Sequence, residues 1–98
     1  MNITAIVLTH NEENHIARCL QSLHGVTDKI FVVDSYSTDE TVHIAKSLHA
    51  SVASHAFTNH AAQVNWALQH LPWEADWILR VDTDEVITPE LAHEIRER

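Results

Sequence analysis

The sequence predicts an α/β domain with a mainly parallel sheet and helices on both faces. Runs of apolar and β-branched residues alternate with segments whose apolar residues recur at helical spacing. This strand–helix pair occurs four times within 98 residues, and the connections are short. We expect the strand order 3-2-1-4, and right-handed crossovers would then place the first two helices on one face and the third on the other.

Length and composition indicate one domain and exclude several functions. A chain of 98 residues is small but can bury a core. A net charge of -8 argues against nucleic-acid binding, which requires a surplus of Lys and Arg. The single cysteine, Cys19, excludes an internal disulfide and fits a reducing compartment. No secretory signal is visible and no apolar run has the length of a membrane span, so we expect a cytoplasmic protein.

The first strand is expected at residues 3–8, which are nearly all apolar, as in a strand covered on both faces. Asn11 is the candidate N-cap of the first helix. The second strand, at residues 29–34, ends on Asp34. Ser37 and Glu40 have the Ser-x-x-Glu spacing of a capping box for the second helix. A weaker third strand, at residues 50–54, is expected near an edge of the sheet.

The third helix is expected to open at Asn59 and to end before Pro72. Gln63 and Asn65 of this helix face either a site or solvent. Its apolar stripe is expected to contain Ala61, Val64, Leu68 and Leu71. The tryptophans are expected in the core: Trp66, Trp73 and Trp77.

The fourth strand begins at Trp77 and runs into an acidic turn, Asp82-Thr83-Asp84-Glu85. Asp82 and Asp84 alternate, so on extended backbone their carboxylates point the same way. Carboxylate oxygens suit Mg²⁺ or Mn²⁺ bound together with substrate phosphates. A solvated acidic turn is the alternative interpretation. Thr88 and Pro89 then predict the start of a fourth helix.

Polar turns follow the first, second and fourth strands, at residues 9–12, 34–37 and 82–85. In parallel sheets such turns meet at the carboxyl edge, where ligands bind. One glycine is too few for G-x-G-x-x-G or for a P-loop, and G-x-S-x-G is absent as well. With these motifs excluded, the interpretation that remains is a site in which carboxylates hold a metal and the polar edges of a nucleotide.

Three segments carry a family resemblance: residues 6–12, 30–41 and 82–85. In order and spacing they resemble the N-terminal half of family 2 glycosyltransferases with the GT-A fold. The resemblance implies a three-layer, Rossmann-like, nucleotide-sugar-binding half over residues 1–98. Residues 57–68 and 88–91 resemble members that build bacterial envelope polysaccharide or lipopolysaccharide core.

The resemblance implies roles for five residues. Asp34 would hydrogen-bond the base, usually uracil, and Asp82 would reach the ribose or the surroundings of the metal. Asp84 would ligate Mn²⁺ or Mg²⁺ bridging the diphosphate. Thr9 and Glu12 would line the nucleoside pocket. Local capping of the backbone is the alternative for Asp34, Thr9 and Glu12.

Two residues depart from the family pattern. Tyr36 stands where the family usually has glycine, and a non-glycine residue there either keeps φ negative or stores strain. His10 stands where tyrosine is common. Neither departure removes a carboxylate from the expected site.

The function expected from the resemblance is sugar transfer from a nucleotide diphosphate sugar, first of all a UDP-sugar. The acceptor would be a cell-envelope glycan or a lipid-linked molecule, and the transfer would invert the anomeric centre. The family's catalytic base comes after the Asp-x-Asp turn, so it is expected beyond Arg98, and the isolated chain is expected to be inactive. Association of the parent protein with the inner face of the cell membrane stays open.

Two other classes remain as alternatives. One is a non-catalytic, acidic α/β interaction module, although a receiver-like domain would place its acidic pair after the first strand. The other is a nucleotidyltransferase fragment, which usually begins with a glycine-rich, arginine-bearing loop. The sequence has neither feature.

Overall fold

The computed structural model of the chain describes residues 3–83. Its strands are β1 (Ile3–Thr9), β2 (Lys29–Asp34), β3 (Ser51–Ser54) and β4 (Trp77–Asp82). Its helices are α1 (Ile16–Leu23), α2 (Thr41–Ser47) and α3 (His60–Gln69). No helix within this range has the length and hydropathy to cross a membrane. The helix expected at Thr88 and Pro89 lies outside the described residues.

The sheet has the strand order β3-β2-β1-β4, and each neighbouring pair is parallel. The predicted fold class and strand order are therefore confirmed. At the carboxyl edge, Thr9 of β1 is the register partner of Asp34 of β2. On the other side of β1, Leu8 is the register partner of Asp82 of β4.

Two apolar clusters cover opposite faces of the sheet. Alternation along each strand sends successive side chains to opposite faces. The cluster beneath α1 and α2 includes Ala5, Val7, Ile30, Val32, Cys19, Leu20 and Ala45. The cluster beneath α3 includes Ile6, Phe31, Val33 and Ala67. Two helices on one face and the third on the other are the predicted arrangement.

The start of α1 differs from the prediction. The N-cap position is His15, and no side chain caps the helix there. Asn11 lies before the helix with a φ of 52°, and its Oδ1 accepts a hydrogen bond from Thr38 N at 2.8 Å. The predicted N-cap role of Asn11 is wrong because its amide binds the turn after β2 instead.

The predicted capping box of α2 is also wrong. Glu40 occupies the N-cap position without a side-chain cap. Ser37 donates hydrogen bonds from both its N–H and its hydroxyl to the Asp34 carboxylate. The first turn of α2 is instead capped by Asp39, whose Oδ1 accepts from Thr41 N at 3.0 Å. The hydroxyl oxygen of Ser37 accepts from Asn11 N instead of from the N–H groups of α2.

The start of α3 agrees with the prediction, whereas its buried face does not. Asn59 caps the helix, since its Oδ1 accepts from Ala62 N at 2.8 Å. The buried residues of α3 are Gln63 and Ala67. Leu68, expected in the apolar stripe, is 44% exposed, and Ala61 is exposed as well. The side of α3 that faces the sheet is therefore partly polar and partly apolar.

In the described part of the chain, β4 is an edge strand of mixed exposure. Trp77 is 62% exposed and Ile78 is 40% exposed, so the expected burial of Trp77 is wrong. Trp66 and Trp73 do pack against the cluster beneath α3. The indole Nε1 of Trp73 also donates to Thr4 Oγ1 at 2.6 Å. This contact satisfies the hydroxyl of a residue with 0% exposure.

Candidate functional site

The carboxyl edge of the sheet presents polar side chains on both faces. Thr9 and Asp34 are register partners, and alternation along the strands directs both toward α1 and α2. Asp82 pairs with Leu8, which packs beneath α3, so Asp82 lies on the α3 face. The turns after β2 and β4 thus share one edge of the sheet, but the side chains of Asp34 and Asp82 lie on opposite faces.

The Asp34 carboxylate is 1% exposed and is held by three donors from the chain itself. Its Oδ1 accepts from Thr9 Oγ1 at 2.6 Å and from Ser37 Oγ at 2.5 Å. Its Oδ2 accepts from Ser37 N at 2.8 Å. These charge-assisted hydrogen bonds offset the cost of burying the group. The predicted contact of Asp34 with a nucleobase stays a prediction, and Oδ2 is the oxygen with more acceptor capacity remaining.

The loops that follow β1 and β2 are bonded to each other. Asn11 N donates to Ser37 Oγ at 2.8 Å, and Glu12 N donates to Thr41 Oγ1 at 2.8 Å. The carbonyl of Glu12 accepts from Ile16 N at 2.8 Å, which starts the first turn of α1. The Thr9 hydroxyl therefore bonds Asp34, and the main chain of Glu12 bonds α2 and starts α1. The predicted contacts of both residues with a nucleoside stay predictions.

Asp39 adds a charge to this pair of loops. Desolvation acts to raise the pKa of its carboxyl group, whereas hydrogen bonds from Thr41 and from Glu13 N–H lower it. The hydrogen bonds prevail, so the pKa of Asp39 lies below its ordinary value of 3.8. The loop contacts therefore favour ionised Asp39, and they weaken when the pH falls through that lowered pKa.

A groove of about 470 Å³ opens beside these loops, lined by His10, Ser35, Tyr36, Ala56 and Phe57. These residues follow the carboxyl ends of β1, β2 and β3. Tyr36 is 63% exposed and Phe57 is 49% exposed. Exposed aromatic rings at an open groove suit a planar ligand such as a nucleobase.

The polar groups of the groove have fixed orientations. His10 Nδ1 lies 2.7 Å from the carbonyl oxygen of Ser35. Because a carbonyl only accepts, Nδ1 carries the proton, and Nε2 of the neutral ring is an acceptor. The sequence predicts the turns that contain His10, Ser35 and Tyr36 at this edge but assigns these residues no ligand contact, and it predicts nothing of this kind for Ala56 and Phe57. Their position directly after strand ends is the signal that could have found them.

Tyr36 has a φ of 52°, so the residue that replaces the family's usual glycine is held in the left-handed region. We expect Tyr36→Gly to raise the free energy of unfolding by about 0.5 kcal/mol, because relieved strain exceeds the added flexibility of the unfolded chain. Nucleotide affinity should fall several-fold, since a stacking ring is lost. Urea unfolding and nucleotide titration measure the two effects.

His49 provides a matched control for this substitution. Its φ is 67°, and it lies at the other edge of the sheet, beside β3. His49→Gly should therefore produce a similar gain in stability and leave nucleotide binding unchanged. Equal loss of binding in the two variants would contradict the assignment of Tyr36 to the groove.

The acidic turn is described only in part. Asp82 ends β4 and is exposed, while the predicted metal ligand Asp84 lies outside the described residues. Across residues 3–83, no group of three or more His, Cys, Asp or Glu side chains is placed to hold a metal. The carboxylate of Asp82 is a hard oxygen donor of the kind that Mg²⁺ and Mn²⁺ prefer. Metal binding at this turn therefore stays a prediction.

A second cavity, of about 530 Å³, lies at the opposite edge of the sheet. It is lined by His24, Asp28, Ser47, Leu48 and His49, which precede β2 and β3 in the chain. Ligands of parallel α/β sheets bind at the carboxyl edge. The smaller groove beside Tyr36 is therefore the better candidate site.

Comparison with known proteins identifies the class. Residues 4–98 match the family described as Glycosyl transferase family 2. An uncharacterized glycosyltransferase of Rickettsia typhi is 41% identical over 93 residues, which cover 95% of this chain and 31% of that relative. A Rickettsia prowazekii relative is 40% identical over the same shares. The chain belongs to glycosyl transferase family 2, and it spans about a third of the length of these relatives.

Solved structures agree with this membership. S. aureus TarS, residues 1–349, aligns with a TM-score of 0.80 at 28% identity, over 96% of this chain and 31% of that one. TarS in complex with UDP-GlcNAc gives the same TM-score and identity, over 96% and 30%. The mannosyltransferase PcManGT from Pyrobaculum calidifontis, in complex with GDP-Man and Mn²⁺, gives 0.79 at 25% identity, over 97% and 31%. The sheet and its helices therefore have the GT-A fold.

Proposed function

We propose that the chain binds the donor of a glycosyltransferase that uses a nucleotide diphosphate sugar, with a UDP-sugar as the first candidate. The observation that carries the proposal is the groove at the carboxyl edge, lined by Tyr36 and Phe57. TarS binds UDP-GlcNAc and PcManGT binds GDP-Man, which supports a nucleotide sugar as the ligand. The acceptor would be a cell-envelope glycan or a lipid-linked molecule.

The groove and the turns beside it offer partners for the parts of a nucleoside. The rings of Tyr36 and Phe57 would stack on the base, and His10 Nε2 would accept a hydrogen bond from it. Asp34 would approach the base through Oδ2, while Thr9 would hold the carboxylate in place and Glu12 would border the pocket. Asp82 lies on the α3 face of the sheet. Ser35 lies on the same face, since it is bonded to Gln63 of α3. Asp82 would reach the ribose or the surroundings of the metal.

A divalent cation is proposed as the cofactor at the acidic turn. The chain carries a net charge of -8, so a diphosphate without a counterion would be repelled. Asp84 would ligate Mn²⁺ or Mg²⁺, with Asp82 beside it, and the bound metal would neutralise the diphosphate leaving group. The Mn²⁺ in the PcManGT complex supports this proposal.

The catalytic base and the acceptor site are proposed to lie outside residues 1–98, in line with the family resemblance. The 98-residue chain should then bind a donor without transferring its sugar. A cytoplasmic location, at the inner face of the cell membrane, would give the parent protein access to both a nucleotide sugar and a lipid-linked acceptor.

The test is calorimetric titration of the 98-residue chain with UDP, in Mn²⁺ and in EDTA. We expect roughly tenfold tighter binding in Mn²⁺, and loss of that difference in Asp84→Ala, because a close carboxylate–cation contact is removed. Asp28→Ala is the control, since it removes the same charge from a side chain that is 98% exposed at the opposite edge.

Two outcomes would contradict the proposal at different levels. Metal-dependent binding that persists in Asp84→Ala would show that the acidic turn is a solvated turn. Binding of neither UDP nor GDP by the unsubstituted chain would reject a nucleotide site altogether. Tighter binding of GDP than of UDP would keep the site and change the proposed donor.

A further inference from the structure

Gln63 is a buried polar residue on a helix that otherwise packs on an apolar cluster. It is 1% exposed, and its neighbour on the buried face of α3 is Ala67. Its Nε2 donates to Ser35 Oγ at 3.0 Å and to the carbonyl oxygen of His55 at 3.0 Å. Its Oε1 lies 2.7 Å from His55 Nδ1. The amide is thus satisfied by the segment that follows β2 and the segment that follows β3.

The chemistry of these partners fixes the orientation of the amide. The carbonyl of His55 only accepts, so the nitrogen of Gln63 must face it. Oε1 then faces His55 Nδ1, which therefore carries a proton. The imidazole is held in turn by stacking on Trp66, with ring centroids 4.4 Å apart. A flipped amide would place Oε1 against the His55 carbonyl oxygen, so that two acceptors would face each other, and the orientation with Nε2 toward that carbonyl is favoured.

Both partners of Gln63 adjoin the groove. Ser35 lines it and is followed by Tyr36, while His55 is followed by Ala56 and Phe57. One side chain of α3 therefore bonds the segment after β2 and the segment after β3. Because Ser35 Oγ accepts from Gln63, the hydroxyl proton of Ser35 is directed elsewhere and can be donated to a ligand.

We propose that Gln63 is a positioning residue for the nucleotide, acting through Ser35 and through the spacing of Tyr36 and Phe57. The inference rests on the proposed function, because the ligand of the groove is taken to be a nucleotide. A glutamine that served only the fold would need partners, but these partners would not have to come from two sides of one groove. A solvated helix face, the alternative from the sequence, does not fit 1% exposure.

The test is a double-mutant cycle in the 98-residue chain, with UDP and Mn²⁺ as the probe. Gln63→Met keeps the length of the side chain and removes its hydrogen bonds, and Ser35→Ala removes the hydroxyl. We expect each substitution to weaken binding roughly three- to tenfold. The double variant should bind no more weakly than the weaker single variant, because the two residues act as a unit. Asn65→Ala, on an exposed position of α3, is the control and should bind normally.

Urea unfolding of each variant separates positioning from stability. Gln63→Glu provides a second route if Gln63→Met does not fold: it keeps the acceptor for His55, loses the donor to Ser35, and should also bind more weakly. Losses that add in the double variant, or unchanged binding in the folded Gln63 variants, overturn the inference while the proposed function stands. A parent chain that binds neither UDP nor GDP overturns both.

Discussion

Asp34→Asn is expected to lower the free energy of unfolding by about 3 kcal/mol, because hydrogen bonds to a charged group contribute roughly 1.5–3 kcal/mol each. The carboxylate is 1% exposed and accepts three hydrogen bonds from Thr9 and Ser37. An asparagine of the same shape turns one acceptor into a donor, which would face a hydroxyl or an N–H group. Urea unfolding monitored by circular dichroism measures the loss.

The same substitution should weaken UDP binding both in Mn²⁺ and in EDTA. Asp34 holds the turn that carries Ser35 and Tyr36, so its loss disturbs the groove whether or not a metal is bound. Asp28→Asn makes the same chemical change on a side chain that is 98% exposed, and its stability should change by less than about 0.5 kcal/mol. A stable Asp34→Asn that still loses binding would instead indicate direct contact with the base.

Leu20→Ala is expected to lower the free energy of unfolding by about 3 kcal/mol, within the roughly 2–5 kcal/mol range of buried Leu→Ala substitutions. Leu20 is 0% exposed in the cluster beneath α1 and α2. Removing its branched end leaves a cavity that the two helices can fill only by moving. Urea unfolding of the 98-residue chain is again the measurement.

Leu68→Ala is the matched control for this prediction. Leu68 is 44% exposed on α3, so the same truncation should cost less than about 1 kcal/mol. Equal losses at Leu20 and Leu68 would show that α3 packs through the apolar stripe expected from its sequence. A small loss at Leu68 supports the face formed by Gln63 and Ala67.

The sequence by itself determined the architecture. Continuous apolar strands at residues 3–8 and 29–34 indicated burial on both faces, which is the pattern of a parallel sheet. For the predicted strand order, which is the one observed, the handedness of crossovers then predicted the face on which each helix lies. The family resemblance rests on three short segments whose order and spacing along the chain match those of the family.

Local capping patterns were less reliable. Asn59 caps α3 as predicted, since its partner Ala62 lies within the same turn. Asn11 and Ser37 do not cap their helices, because each finds a partner that the local pattern does not contain. Thr38, which donates to Asn11, lies 27 residues away in the chain. A polar side chain such as Asn or Ser can cap a helix or bridge two loops, and only the packing of the loops decides between the two roles.

The site itself depended on tertiary structure. Its acidic residues were visible in the sequence, but the register of β1 with both neighbours decides that Asp34 and Asp82 lie on opposite faces. The groove also includes residues after β3, which the sequence did not place at the ligand-binding edge. Gln63 is buried because partners from the ends of two strands satisfy its amide. Periodicity along one helix contains no information about such partners, since hydrogen bonds between distant segments exist only after the strands have paired.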